Sequence, residues 1–166
     1  MGPQNATQDD LPARAYRDVL GRFATGVTVV TAAGPDGPVA ITANSFSSVS
    51  LNPPLVLWCP AKSSRRFDLF CAAQRFVIHV LADDQLSVAR HFARTGHDFS
   101  PMEWQTGTGD LPLLTHFAAR FSCTHEASHD AGDHAIILGR VQEATIGQGA
   151  PLVFADGSYG RFVAGL

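Results

Sequence analysis

The sequence predicts a mainly β protein: a mostly antiparallel, closed or nearly closed β-barrel with short flanking helices. Three observations lead there. About six or seven short runs rich in Val, Ile, Thr and Phe are separated by turn clusters of Gly, Pro, Asp and Asn. Most of the connections have hairpin length. The regularly spaced long helices that parallel βαβ units require are missing. The 166 residues suit one domain, and 45% hydrophobic against 16% charged residues give a folded core rather than a disordered chain.

Residues 1–12 read as a mobile leader before a domain over 13–166. The opening MGPQNATQDD has neither the basic nor the apolar region of a signal peptide. From Leu11 to Phe23, Tyr16, Val19, Leu20 and Phe23 fall at i, i+3, i+4 and i+7, one apolar face of a helix weakened near its end by Gly21. GVTVVTA (26–32) reads as a strand, Gly34-Pro35-Asp36-Gly37-Pro38 as a turn, and Val39 starts the returning strand of a hairpin. Val39 to Thr42 is apolar and β-branched. Ala43 to Ser50 is a polar connection around a lone Phe46. Asn52-Pro53-Pro54 breaks the chain before the buried strand Leu55–Cys59.

Further on, a short helix is expected over Arg65 to Ala73, capped by Ser63 or Ser64, with Phe67 and Phe70 inward. RFVIHVL (75–81) reads as a strand. A helix over Gln85 to Arg94, capped by Asp83 or Asp84, carries the apolar stripe Leu86, Ala89, Phe92 and Ala93. Thr95 to Asp110 reads as irregular. The last third reads as strands: 118–125, a turn at 128–132, His134–Ala144, Pro151–Ala155 and Ser158–Phe162.

Several function classes find no support. A net charge of −3 gives no electrostatic basis for binding nucleic acid. No apolar run approaches the ~20 residues of a membrane span. Three cysteines without CxxC spacing read as reduced, mostly buried thiols of a cytoplasmic protein. GxGxxG, GxxxxGK[ST] and GxSxG are all missing. His125-Glu126-Ala127-Ser128-His129 spells HExxH, but zinc binding by that motif needs a helix, and its neighbours read as a strand and a turn. No metal is therefore expected.

Positive indications gather around Val39–Pro60. Two apolar strands joined by a segment full of donors and acceptors suit a flat ligand with polar edges. Just beyond it, Lys62, Ser63 and Ser64 precede a helix. A cation, two hydroxyls and backbone N–H groups there can hold a phosphate, although from the residues alone plain helix capping is the better account of the serines. His134 opens a strand and by itself reads as a strand-edge residue. Tyr159 and Arg161 read as surface or core-edge residues.

Taken together, FATGVTVVTA (23–32), ITANSFSSVSLNPPLVLWC (41–59), KSSRRFDLF (62–70), FVIHVLADDQLSVARHFA (76–93), AGDHAIILGRV (131–141) and PLVFADGSYGRF (151–162) resemble, in order, the flavin reductases of the FMN-binding split-barrel superfamily. These are the short reductase components of two-component flavin-dependent monooxygenases. The resemblance covers roughly residues 15–162, and TANSFxSVSxxPPLV is its most specific segment. It implies a Greek-key split barrel, a homodimer, and a non-covalently bound flavin, FMN or FAD, reduced by NADH or NADPH and supplied to a partner monooxygenase. Flavin carriage, or electron transfer to another acceptor, is the alternative role.

Carried over by position, Thr42, Ala43, Asn44, Ser45 and Phe46 would line the isoalloxazine. Ser47, Ser48 and Ser50 would approach the ribityl chain and phosphate. Cys59, Lys62, Ser63 and Ser64 would continue the phosphate side. His134 would position the nicotinamide, and Tyr159 and Arg161 would lie near the active site. Phe154 stands where many relatives have Tyr, and Thr95–Leu114 matches only loosely.

Overall fold

The structure, a computed structural model, describes residues 12–165. The expected leader lies outside these residues except for Pro12. The chain forms α1 (Ala13–Leu20), β1 (Thr25–Gly26), β2 (Thr28–Gly34), β3 (Gly37–Ala43), β4 (Ser47–Leu51), β5 (Pro54–Trp58), α2 (Phe67–Ala72), β6 (Arg75–Val80), α3 (Leu86–Arg94), β7 (Trp104–Thr106), β8 (Pro112–Leu114), β9 (Ala119–Ala131), β10 (His134–Ile146), β11 (Leu152–Ala155) and β12 (Ser158–Arg161). Seven strands make one antiparallel sheet in the order β3-β2-β6-β9-β10-β5-β4. The mainly β expectation holds.

The sheet's two edge strands, β3 and β4, are consecutive in the chain and joined only by residues 44–46. Seven strands can be spanned by so short a link only if the sheet curls round until its edges meet. Hydrophobic patterning explains why it curls. Along β2 both faces are buried: Val30 and Ala32 pack into one cluster with Trp58, Phe70, Phe76 and Ile137, while Val29, with Val27 just before the strand, packs into a second with Ala89, Phe92 and Leu114. A strand covered on both faces reads as a continuous apolar run, which is the character of GVTVVTA. The first cluster fills the inside of the curled sheet, where the Trp58 and Phe70 rings meet edge to face at 5.1 Å. The second fills the space between β2–β3 and the outer cover of α3 and β7–β8.

Several local expectations are corrected. The polar connection 43–50 contains a strand, β4, whose SSVSL sequence pairs with β5 across the turn at Asn52-Pro53. Residues 95–110 contain β7, which pairs with β8. The turn placed at 128–132 shrinks to Gly132-Asp133, because β9 runs on to Ala131 and pairs with His134. HExxH therefore lies in a strand, and Glu126 is held by the Arg140 guanidinium through two 2.8 Å bonds. The expected caps differ as well. Arg66 occupies the N-cap of α2 and Gln85 that of α3, neither with a side-chain cap. Asp83 instead meets Arg161 Nε at 3.3 Å, and Asp84 accepts from His116. Neighbouring chain segments captured both carboxylates. α1 is shorter than the 11–23 pattern and buries no residue, leaving Tyr16, Val19 and Leu20 more than half exposed.

Gly139 marks where β10 approaches the core most closely, next to a register shift in its pairing with β9. A Cβ there would lie 2.6 Å from Phe76 Cζ and 3.1 Å from Cys123 Cβ. Gly139→Ala is expected to lower stability by about 1–3 kcal/mol through overpacking. Urea denaturation checks this, and an unchanged midpoint would show that the Phe76 ring yields freely.

Candidate functional site

Two concavities meet at Thr42 and Ala93. One is a cleft of about 240 Å³ lined by Val27, Thr42, Ala43, Asn44, Ala93, Phe154 and Tyr159. The other is a groove of about 790 Å³ lined by Ile41, Thr42, Ser63–Arg66 and Ala93–Asp98. Asn44 and Phe154 also line a wider hollow that opens from the cleft toward α1 and the β11–β12 turn.

The end of β3 sets one wall of the cleft. Thr42 Oγ1 donates to the Ala89 carbonyl of α3 at 2.7 Å, so the hydroxyl anchors β3 to the helix. Ala43 and Ala93 add little bulk. Asn44 is exposed at the mouth, where its amide offers donors and an acceptor together. The opposite wall is the Phe154–Tyr159 pair, with ring centroids 5.1 Å apart, held by the β11–β12 hairpin. The cleft is therefore a slot between small residues and aromatic rings with an amide at its rim. That donor set fits the flat, polar-edged ring system of a flavin.

Beyond Asn44, Ser45 Oγ accepts the Cys59 N–H at 2.9 Å and donates to the Cys59 carbonyl at 3.2 Å. Burial pushes the Cys59 thiol up from its ordinary value, and the Ser45 contact opposes that. The Phe46 ring turns inward and meets Phe121 at 5.5 Å.

The groove is basic. Arg65, Arg66, Arg94 and His97 line it with a single carboxylate, Asp98. Arg66 Nη1 donates to the Ala40 and Phe92 carbonyls at 2.9 and 2.8 Å, tying β3 to α3. Burial, with Arg65 beside it, lowers the pKa of Arg66. Gly96 makes room for this arrangement, since a Cβ there would sit 2.4 Å from Arg66 Cδ and 3.0 Å from the Ala40 carbonyl.

The structure thus brings Thr42, Ala43, Asn44 and Tyr159 into the cleft and Ser63 and Ser64 into the groove. The amides of Lys62, Ser64 and Arg66 already donate, to Asp133 O, Ala61 O and Ser64 Oγ. Lys62 pairs with Asp130, and His134 Nδ1 lies 2.7 Å from Asp133 Oδ1, so both sit at the β9–β10 turn rather than among the lining residues. The Asp133 carboxyl falls below its usual range through that His134 contact. Ser47, Ser48 and Ser50 lie on β4, with Ser47 Oγ donating to the Ser48 carbonyl. Arg161 faces Asp83. Arg65, Arg66, Arg94 and His97 line the groove beyond the residues that the sequence singles out. Their run of positive charge along 62–66 was visible, but Arg94 and His97 join it only through folding.

Comparison with known proteins agrees with this geometry. A family model for the flavin reductase like domain matches residues 20–162. FMN reductase (NADH) SmoA of Agrobacterium fabrum is 50% identical over 150 residues, which cover 90% of this chain and 86% of that protein. Reductase subunit HsaB of a flavin-dependent monooxygenase from Mycobacterium tuberculosis is 37% identical, covering 88% and 80%. Three further curated relatives are longer, and the chain spans 44%, 59% and 48% of them. Among solved structures, the NADH:FAD oxidoreductase SgcE6 of Streptomyces globisporus superposes with a TM-score of 0.89 at 35% identity, over 99% of this chain and 100% of that one. The matched span runs from the end of α1 through both walls of the cleft to β12, and the chain belongs to the flavin reductase like domain family.

Proposed function

We infer that this protein is an NAD(P)H:flavin oxidoreductase that reduces FMN or FAD and supplies the reduced flavin to a partner monooxygenase. The observation that carries the reading is the meeting of an aromatic-walled slot and a basic groove at Thr42. A ring and a phosphate of one ligand need that pair of environments side by side. The relatives' names point the same way: one is an NADH-dependent FMN reductase, one an NADH:FAD oxidoreductase, and one the reductase subunit of a flavin-dependent monooxygenase.

A bound flavin supplies the redox chemistry by accepting hydride from a dihydronicotinamide. The chain's own residues bind and orient. Small side chains at Ala43 and Ala93 leave room for two stacked rings, and stacking at roughly 3–3.5 Å between reacting atoms is the main requirement. Asn44 would hold the polar edge of a bound ring, where hydrogen-bond donation favours developing negative charge. Among the described residues, the cleft is lined by no carboxylate and no His, which suits a reaction that needs no strong protein acid or base.

We read the protein as a homodimer, with the exposed apolar face of α1 and the exposed Val49 and Leu51 of β4 covered by a second copy. No helix among the described residues is long and apolar enough to cross a membrane. Three free thiols support a cytoplasmic setting.

Absorbance at 340 nm in the presence of NADH or NADPH and free FMN or FAD tests the reading. Flavin-dependent oxidation of the nucleotide is expected, and none in all four combinations would sink it. Asn44→Ala is expected to weaken flavin binding about tenfold, the loss of one well-placed hydrogen bond, without a change in thermal stability. An unchanged flavin titration would move the ring away from Asn44. His134→Ala is expected to raise the KM for the nicotinamide nucleotide more than the Kd for flavin, and the reverse pattern would assign His134 to the flavin instead.

A further inference from the structure

A separate concavity of about 340 Å³ lies between the start of α3 and the β7–β8 strap. It shares no lining residue with the cleft, the groove or the hollow. Its volume falls in the range of small-ligand sites, roughly 300–1,000 Å³. Val88 of α3, Met102 before β7 and Leu114 of β8 give it apolar walls. Val88 and Met102 pack against the second core cluster yet stay only half-buried, so apolar surface is left open to the concavity.

The lining is braced. Gln85 is 6% exposed; its Oε1 accepts the Ala82 N–H and its Nε2 donates to the His116 carbonyl, both at 2.9 Å. Leu114 is 2% exposed, and its N–H is held by His79 Nε2. The Glu103 carbonyl accepts Thr115 N–H and Oγ1, both at 3.1 Å, which pins the chain on that wall. A concavity fixed in this way is preformed for a ligand.

Its charges are one-sided. Asp84 and Glu103 line it from two different segments, and among the described residues no Lys or Arg joins them. The Glu103 carboxylate forms no ion pair among the described residues. Asp84 is held by His116, whose Nε2 lies 2.9 and 3.1 Å from its two oxygens. Even with His116 protonated, the lining keeps a net negative charge. Carboxylate beside apolar walls complements a carbon body that ends in a cation. That cation needs N–H groups. Carboxylate oxygens hold an ammonium through charge-assisted hydrogen bonds. A quaternary ammonium calls for aromatic faces, and no Phe, Tyr or Trp lines the concavity among the described residues.

We propose that this concavity binds a small primary amine with an apolar body, of the arylalkylamine class. Val88, Met102 and Leu114 take the body, and Asp84 and Glu103 take the ammonium. The site is separate from the flavin cleft, so it stands apart from the oxidoreductase reading.

2-Phenylethylamine is the probe, added to the full chain while its backbone amide NMR signals are followed. Saturable shifts are expected at 84–88, 101–104 and 114–116, with a Kd on the order of 1 mM for so small a ligand. 2-Phenylethanol keeps the ring without the charge, and trimethyl(2-phenylethyl)ammonium keeps the charge without the N–H. Both are expected to bind at least tenfold more weakly. Asp84→Asn/Glu103→Gln is expected to bring the amine down to the level of the alcohol. Glu103→Gln alone, at an exposed side chain, is the second variant should the pair not fold, and it is expected to weaken the amine severalfold.

Equal affinity for amine and alcohol would overturn the proposal. So would amine affinity indifferent to these substitutions, shifts centred on 42–44 and 154–159, or no saturable shift at all. Flavin-dependent NADH oxidation is scored separately. Its absence sinks the oxidoreductase reading and leaves the amine titration to decide this site.

Discussion

Ser45 Oγ accepts the N–H of Cys59 and donates to the carbonyl of the same residue. This double contact clasps the three-residue link between the sheet's edge strands to the end of β5. Much of the site depends on it. It leaves Asn44 at the mouth of the cleft while Phe46, two residues on, turns into the core against Phe121. With the link pinned, the end of β3 is held from two directions: Thr42 bonds to α3 on one side, and Ser45 bonds to the chain leaving β5 on the other. The loop carrying Ser63–Arg66 follows within a few residues of Cys59, and Arg66 then ties back to Ala40. Ring cleft and basic groove are in this sense one construction, closed by hydrogen bonds from short side chains to backbone.

The parts of the fold legible in the sequence were those with strong hydrophobic periodicity or turn chemistry. β2 and β3 were readable because both faces are covered, and their hairpin because Gly34 and Gly37 pair around Pro35-Asp36. β4 was hidden because Ser47, Ser48 and Ser50 give it no apolar rhythm; backbone pairing with β5 makes it a strand. The far end of β9 was hidden for a similar reason. Ser128, His129 and Asp130 look like a turn, but pairing with β10 overrides their local preference.

The site divides the same way. The reading of 39–60 as support for a flat, polar-edged ligand came from residues alone, whereas the flavin itself came from the resemblance. Thr42, Ala43 and Asn44 read as one patch in the sequence because the strand and its polar exit are contiguous, and all three line the cleft. Lys62 was expected to face a phosphate, yet Asp130, distant in sequence, captures it. Arg94 and His97 were invisible as site residues because about 30 positions separate them from Arg65, and only the packing of α3 on β3 brings them to the same groove.

His79 sits in the wall that β6 shares with β2, with no exposure to solvent. Its Nδ1 lies 3.2 Å from the Val29 carbonyl, and its Nε2 accepts the Leu114 N–H at 3.1 Å. The two contacts fix one neutral tautomer, with the proton on Nδ1. They also fasten the β7–β8 strap to the barrel beside the Thr31–Pro112 hydrogen bond. Burial foremost, with Arg120 nearby, depresses the ring's pKa from 6.5 to about 3, against the opposing pull of the Val29 carbonyl. Below pH ~6.5 the unfolded chain takes up a proton that the folded one refuses. Stability is therefore fully present above that point and drains away as the pH falls toward about 3. A separation of this size amounts to something on the order of 5 kcal/mol, comparable with the entire net stability of a small domain. One imidazole thus sets an acid limit on the fold, and the β7–β8 strap that its Nε2 holds is the part it would release.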